Sequence, residues 1–429
     1  MSLLKDLPEL LKAEVITQKT ADDITAYYKS KEKSSTQRLF IIFGILGTIL
    51  IGLGIVLIVA HNWDDLSKPI KLVFAFLPLI VGQTMCIYTI FKKKESVAWR
   101  ESASAFLFLA VGTAISLVSQ IYNIPGNVSS FLSTWMFLCL PLIFIMNSSV
   151  TSLLYLVGIT YYAFETGYSF PSNLPYLYWI MLVGALIHYY KLYRSQPSSN
   201  FMTFHSWMIP LSIIIALGTV ADKSGELMYI AYICLFALFY IIGNLNFYKN
   251  QKTLSNGFHI MGSLGTIIVL LMLSFNWFWD GLQKDPIFES GILQTPELYA
   301  ALLLFLLAAL SVYYRRVQNK IKEFDAFAWV FVAFIPVFLL YRFPNVSIVC
   351  INLIIFALGI LTIKKGARKI SLLTLNYGLL IITALVVCRF FDSKISFVIR
   401  GILFVLVGLG FFVANYVLLK KRNQQSLNE

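Results

Sequence analysis

The chain has 429 residues, of which 58% are hydrophobic and 13% charged, where a soluble domain carries roughly 45–50% apolar and about 25% charged residues. So little charge cannot cover a soluble globule, and that class is excluded. The formal net charge of +13 would suit a nucleic-acid binder if the basic residues gathered on one polar domain; they instead punctuate apolar runs, which points to membrane topology and no nucleic-acid partner.

The first 36 residues are polar. Leu4, Leu7, Leu10 and Leu11 fall on one side of a helix over Leu3 to Glu14, and Thr20-Ala-Asp-Asp offers an N-cap with acids in the first turn of a second helix ending near Lys31. A cytosolic helical hairpin is expected, able to dock a protein partner through residues 1–36. No cleavable signal peptide is visible, because the first apolar run is long enough to remain as a span.

Beyond the hairpin the apolar residues fall in runs of about 17–25, the length that crosses a hydrocarbon layer of about 30 Å as a helix. They lack the alternation of barrel strands, and in lipid the backbone must satisfy its own hydrogen bonds. The expected fold is an all-α polytopic bundle of fourteen spans: Arg38–Ala60, Pro69–Phe91, Ser102–Tyr122, Phe131–Met146, Val150–Ala163, Leu174–Tyr190, Trp207–Val220, Leu227–Leu245, Phe258–Phe275, Leu298–Tyr314, Ala326–Tyr341, Val346–Ile363, Ser371–Arg389 and Phe397–Leu419. The fourth, fifth and seventh are short or weakly bounded. With the N-terminus inside, the inside segments hold 26 of the 34 Lys and Arg, as the positive-inside rule requires of a chain with both termini cytoplasmic. Membrane lipids are the constant partners of such a chain.

The longest outer loop, Asn276 to Glu297, opens with Asn276-Trp-Phe-Trp. An interfacial anchor is expected there, with a lid over a cavity as the alternative.

Gly44-Ile-Leu-Gly-Thr-Ile in the first span recurs as Gly262-Ser-Leu-Gly-Thr-Ile in the ninth, each leading to an Asn-Trp and an acid. This suggests a parallel repeat of six spans, a connecting pair and six more. The boundaries would be 1–36 for the hairpin, 37–191 and 257–422 for the two bundles, 192–256 for the connecting pair, and 423–429 for a cytosolic tail.

Ionisable residues inside a membrane are functional candidates because they are costly to hold there. The nearest here are Glu101 at the inner end of the third span and Glu165 at the outer end of the fifth. In the third span Gly112, Ser116 and Gln120 share one face at i, i+4 and i+8, either a packing seam or the lining of a cavity near Asn62, Trp63 and Asp64 at the outer side. Gln83 is a further isolated polar position. The five cysteines lie in apolar runs and read as small core residues. His188, His205 and His259 lie near inner boundaries without the spacing of a zinc hydrolase. No phosphate loop, dinucleotide turn or nucleophile elbow occurs in a fitting context, so no catalytic residue, cofactor or metal is expected.

The hairpin with Tyr27-Tyr28, the first span closing on Ala60-His-Asn-Trp-Asp64, and the third running from Glu101 to Gln120-Ile-Tyr122 resemble the bacterial membrane proteins catalogued as domain of unknown function 2157. The resemblance covers about the first 150 residues. It implies a polytopic inner-membrane protein and brings no activity. The functional expectation is a carrier or flippase for a small or lipid-linked substrate. The alternatives are a scaffold or sensor docking a partner through its hairpin, and a membrane enzyme acting on a lipid-linked substrate.

Overall fold

The computed structural model describes residues 3–27, 63–169, 173–245, 248, 253–284, 292–317, 325–392 and 397–426. The first expected span and Asn62 lie outside these residues, and so does the first copy of the Gly-x-Leu-Gly-Thr-Ile motif. Every regular element among the described residues is helical. The chain divides into two compact units, Met1–Phe76 and Leu77–Glu429.

In the first unit α1 (Leu3–Lys12) and α2 (18–27) are joined by a turn in which Glu14 adopts a φ of 52°. The amide of Val15 returns to the carbonyl of Leu10 at 3.1 Å. The N-cap of α2 is Thr17, whose hydroxyl accepts from the Thr20 amide at 3.3 Å and contacts the Thr20 hydroxyl at 2.9 Å. The helix therefore starts one turn before the Thr20 cap read from sequence. The Ser/Thr hydroxyl that closes on an amide three residues ahead becomes the cap, and Thr17 does so first. Trp63 opens a turn in which the Leu66 amide donates to its carbonyl at 3.2 Å, and the Lys71 ammonium lies 5.6 Å from the indole centroid.

The second unit holds the end of α3 (Lys68–Lys92) and then α4 (Val97–Tyr122), α5 (Val128–Met146), α6 (Ser149–Gly167), α7 (Tyr176–Ser195), α8 (Asn200–Gly218), α9 (Met228–Gly243), α10 (Gly257–Met272), α11 (Asn276–Lys284), α12 (Pro296–Val317), α13 (Ala326–Leu339), α14 (Pro344–Arg368), α15 (Leu372–Asp392) and α16 (Phe397–Ser426). Each expected span from Pro69–Phe91 onward overlaps one of these helices. Among the described residues eight helices are long and apolar enough to cross a membrane, or nine if the bent pair α10 and α11 is one span.

Local chemistry sets the helix starts. Asn127 and Ser130 exchange side-chain and backbone bonds in a capping box before α5. Ser148, Ser199 and Asn256 cap α6, α8 and α10 by accepting from the amide three positions into each helix. Asn256 also donates to the Gly243 carbonyl at 2.7 Å, which ties the end of α9 to the start of α10.

The core sits around α9. Ala231, Ile233, Cys234 and Ala237 have no exposed surface, and α9 packs against α10, α12 and α13. A helix apolar on all sides belongs where protein surrounds it. Close approach to α10 needs glycine: a Cβ on Gly262 would meet the Tyr240 nitrogen at 2.4 Å and the Phe236 carbonyl oxygen at 2.7 Å. In contrast α12 exposes Leu303, Leu306 and Leu310, an apolar stripe at i, i+3 and i+7 facing outward, as lipid contact requires.

The segment after α10 differs from the expected interfacial anchor. α11 bends away from α10 by 76° and, while Trp277 is exposed, Phe278, Trp279 and Leu282 are buried in the main core. Trp279 is fully enclosed, and its indole N–H donates to the Leu273 carbonyl at 2.7 Å. The break frees backbone carbonyls, and an indole that caps one of them while filling the corner offsets that cost.

Candidate functional site

Four elements bring polar side chains together at one end of the second unit. α4 supplies Arg100 and Glu101 in its first turns. The α5–α6 link reverses the chain in two residues because Asn147 takes a left-handed φ of 47°, a conformation that asparagine tolerates better than most residues. α7 contributes His188 and Lys191, and α8 contributes His205.

Glu101 is almost fully buried. Its carboxylate accepts from the Ser148 hydroxyl at 2.5 Å, the Ser149 amide at 3.1 Å and the Val150 amide at 2.8 Å. Those amides belong to the first turn of α6, where backbone donors lack partners inside the helix and the helix dipole favours negative charge. A carboxylate from α4 is therefore a second cap for α6, beside Ser148. Behind it the Ser149 hydroxyl lies 3.4 Å from His188 Nε2, and the His188 and His205 rings are 5.7 Å apart. His205 Nδ1 sits 2.8 Å from the Phe201 carbonyl, an acceptor only, so Nδ1 carries the proton. Nε2 then accepts from the Ser152 hydroxyl at 3.0 Å.

Two openings flank this network. The larger, about 260 Å³, is lined by Thr89, Ile90, Lys94, Arg100, Phe144, Ile145, Met146, Asn147 and Lys191. The smaller, about 20 Å³ over Glu101, Ser149, His188 and Gln196, has room for a water and little more. Arg100 and Asn147 line both. The Arg100 Nε and His188 Nδ1 are buried without a hydrogen-bond partner. Among the described residues the one carboxylate–ammonium pair joins Lys365 to Asp325 at 2.8 Å, with the Tyr240 hydroxyl 3.0 Å from the same ammonium. Lys94, Arg100 and Lys191 thus line the larger cleft without a carboxylate partner.

Glu101→Gln keeps one carbonyl acceptor and loses the charge facing the α6 dipole. The expected cost is about 1–3 kcal/mol, read as a lower unfolding midpoint of the purified protein in detergent. An unchanged midpoint would remove the capping role.

The other residues singled out from sequence are spread apart. Gly112 is buried against Trp135, and a Cβ there would stand 2.5 Å from the indole ring, whose N–H donates to the Phe108 carbonyl at 2.8 Å. Ser116, Gln120 and Gln83 are exposed among the described residues. Gln120 lies nineteen positions along α4 from Glu101, about 28 Å at 1.5 Å per residue, so the two cannot share one site. Trp63 is half-buried and Asp64 exposed in the first unit. Sequence reasoning missed Arg100, Asn147, Ser148, His188, Lys191 and His205 as one constellation. Its faint signal was the recurrence of histidine at one predicted boundary. No group of three His, Cys, Asp or Glu able to hold a metal occurs among the described residues.

Buried Glu297 is a second carboxylate of the same kind. It accepts from the Asp222 and Ser224 amides at 2.6 and 2.9 Å and ties the loop after α8 to the start of α12.

Comparison with curated proteins and with solved structures found no match. Residues 8–152, from within α1 to the first turn of α6 and taking in Arg100, Glu101, Asn147 and Ser148 but not His188 or Lys191, match the family described as predicted membrane protein (DUF2157): over its N-terminal third this integral membrane protein is similar to that family.

Proposed function

We propose that the protein is a carrier or flippase for a small or lipid-linked substrate in a bacterial cytoplasmic membrane. In this reading it has fourteen spans, with both termini and the Arg100 end on the cytoplasmic side. The observation that carries the reading is the larger cleft. It joins a basic wall of Lys94, Arg100 and Lys191 to an apolar wall of Ile90, Phe144 and Ile145, and Ile145 is 65% exposed on the outward face of α5. A pocket that is charged on one side and continuous with lipid-facing surface on the other fits a molecule with a polar head and an apolar body. A scaffold needs no such opening.

The orientation rests on the basic loops. Lys92 to Arg100, Lys191 with Arg194, and Lys364 to Lys369 all fall at helix ends, and the first two groups meet at one cleft, as expected of cytoplasmic loops. Residues 1–36 would then be free in the cytosol to meet a regulatory partner.

The test is movement of fluorescent phospholipids between leaflets of vesicles containing the purified chain. Movement well above that of empty vesicles is expected, with Arg100→Gln slowing it by roughly tenfold or more through loss of a charged contact. Deleting residues 1–36 should leave it intact. A rate equal to that of empty vesicles, with the protein folded, would sink the carrier reading and favour the scaffold.

A further inference from the structure

We propose that the cleft bounded by α3, α4, the α5–α6 link and α7 binds a phosphate-bearing amphiphile, with the phosphate held by Arg100, Lys94 and Lys191 and the apolar part lying along Ile90 and Ile145. This deepens the carrier reading by naming its substrate class, and it rests on that reading only in saying that the bound molecule is also the one moved.

Three observations on the cleft converge. The first is unbalanced charge: three cationic side chains line an opening of about 260 Å³, and none of them forms an ion pair among the described residues. The nearby carboxylate, Glu101, is turned to Ser148, Ser149 and Val150 and forms no ion pair with any of the three. Glu95 is exposed in the α3–α4 loop and does not line the cleft.

The second is the orphaned donor. Arg100 Nε is buried with no partner, and a guanidinium cannot shed its proton to relieve the cost. The Arg100 side chain also lines the cleft, so an anion there would offset the charge of a guanidinium that the protein leaves incompletely paired. A planar fork of donors matches the oxygens of a phosphate better than a point charge does, while the two flexible lysines add charge from the rim. The third is the apolar wall, which separates this cleft from a plain anion site. Ile90, Phe144 and Ile145 would have no role against a free ion, but they offer an acyl or prenyl chain a path from the head-group level to the outer face of α5.

The test uses the full chain purified in detergent, with binding read by native mass spectrometry and by the shift in melting temperature. Phosphatidic acid is expected to bind at least about tenfold more tightly than phosphatidylcholine of the same chains, and Arg100→Gln should lose at least about tenfold in that affinity. Lys191→Gln, at an exposed position that folding does not need, should weaken binding in the same direction. Equal binding of the two lipids, or undiminished binding by both variants, would overturn the proposal. Inorganic phosphate competing as strongly as phosphatidic acid would overturn the amphiphile assignment and leave a free phosphate as the ligand. Binding as expected without leaflet exchange would keep this site and remove the carrier reading; exchange without phosphate preference would do the reverse.

Discussion

Trp279→Ala is expected to destabilise the protein by about 3 kcal/mol or more, read as a lower unfolding midpoint in detergent. Trp279 is fully buried, in ring contact with Phe338 at 6.0 Å and with Phe278 at 5.7 Å. Removing it opens a cavity at the corner between α10 and α11 and leaves the Leu273 carbonyl without its donor. The two costs add. The neighbouring Trp277 is 62% exposed, so Trp277→Ala should change the midpoint little. Equal effects of the two substitutions would contradict the inward seat of α11.

Gly262→Val should be at least as damaging. The obstacle is backbone: the new Cβ would stand 2.4 Å from the Tyr240 nitrogen, and α9 cannot yield there without losing contact with α12 and α13 as well. Overpacking of this kind costs about 1–3 kcal/mol where side chains can give way and more where they cannot. The expected outcome is poor yield of folded protein and early unfolding. Gly281→Ala is the control, since nothing lies within 4 Å of a Cβ at that position. A stable, well-expressed Gly262→Val protein would mean that α9 and α10 are not in close contact.

These residues show where sequence reasoning succeeds and where it stops. The spans were legible because hydrocarbon imposes one length and one secondary structure on any run that crosses it, and α3 and α14 begin and end within a few residues of their apolar runs. Thr17 and Thr20 compete for one cap by local hydrogen bonding alone, which hydropathy does not rank. Gly262 and Gly265 stood out as half of a repeated motif. Their measurable role is contact with α9, a property of a neighbouring helix that periodicity within α10 cannot reveal. Glu101 was visible as a costly ionisable group at a membrane boundary. Its partners were not, because Ser148 lies 47 residues away and meets it only when the α5–α6 link folds beneath α4. Lys94, Arg100 and Lys191 read as topology signals in sequence, and only their convergence on one cleft separates them from the other basic residues.

The differing helix lengths bear on how the protein meets bilayers of different thickness. Together with the single turn Gly225–Leu227 that leads into it, α9 forms one apolar helix of 19 residues, Gly225–Gly243, about 30 Å long and close to the thickness of a hydrocarbon layer. α12 and α14, with 22 and 25 residues, reach about 33 and 37 Å. α9 has no exposed residue and packs against α10, α12 and α13, so its neighbours are helices on several sides. α12 carries the outward leucine stripe and α14 exposes Val349, Leu353 and Phe356, and a helix longer than the layer adjusts by tilting at modest cost. Hydrophobic mismatch therefore acts on α12 and α14 more than on α9.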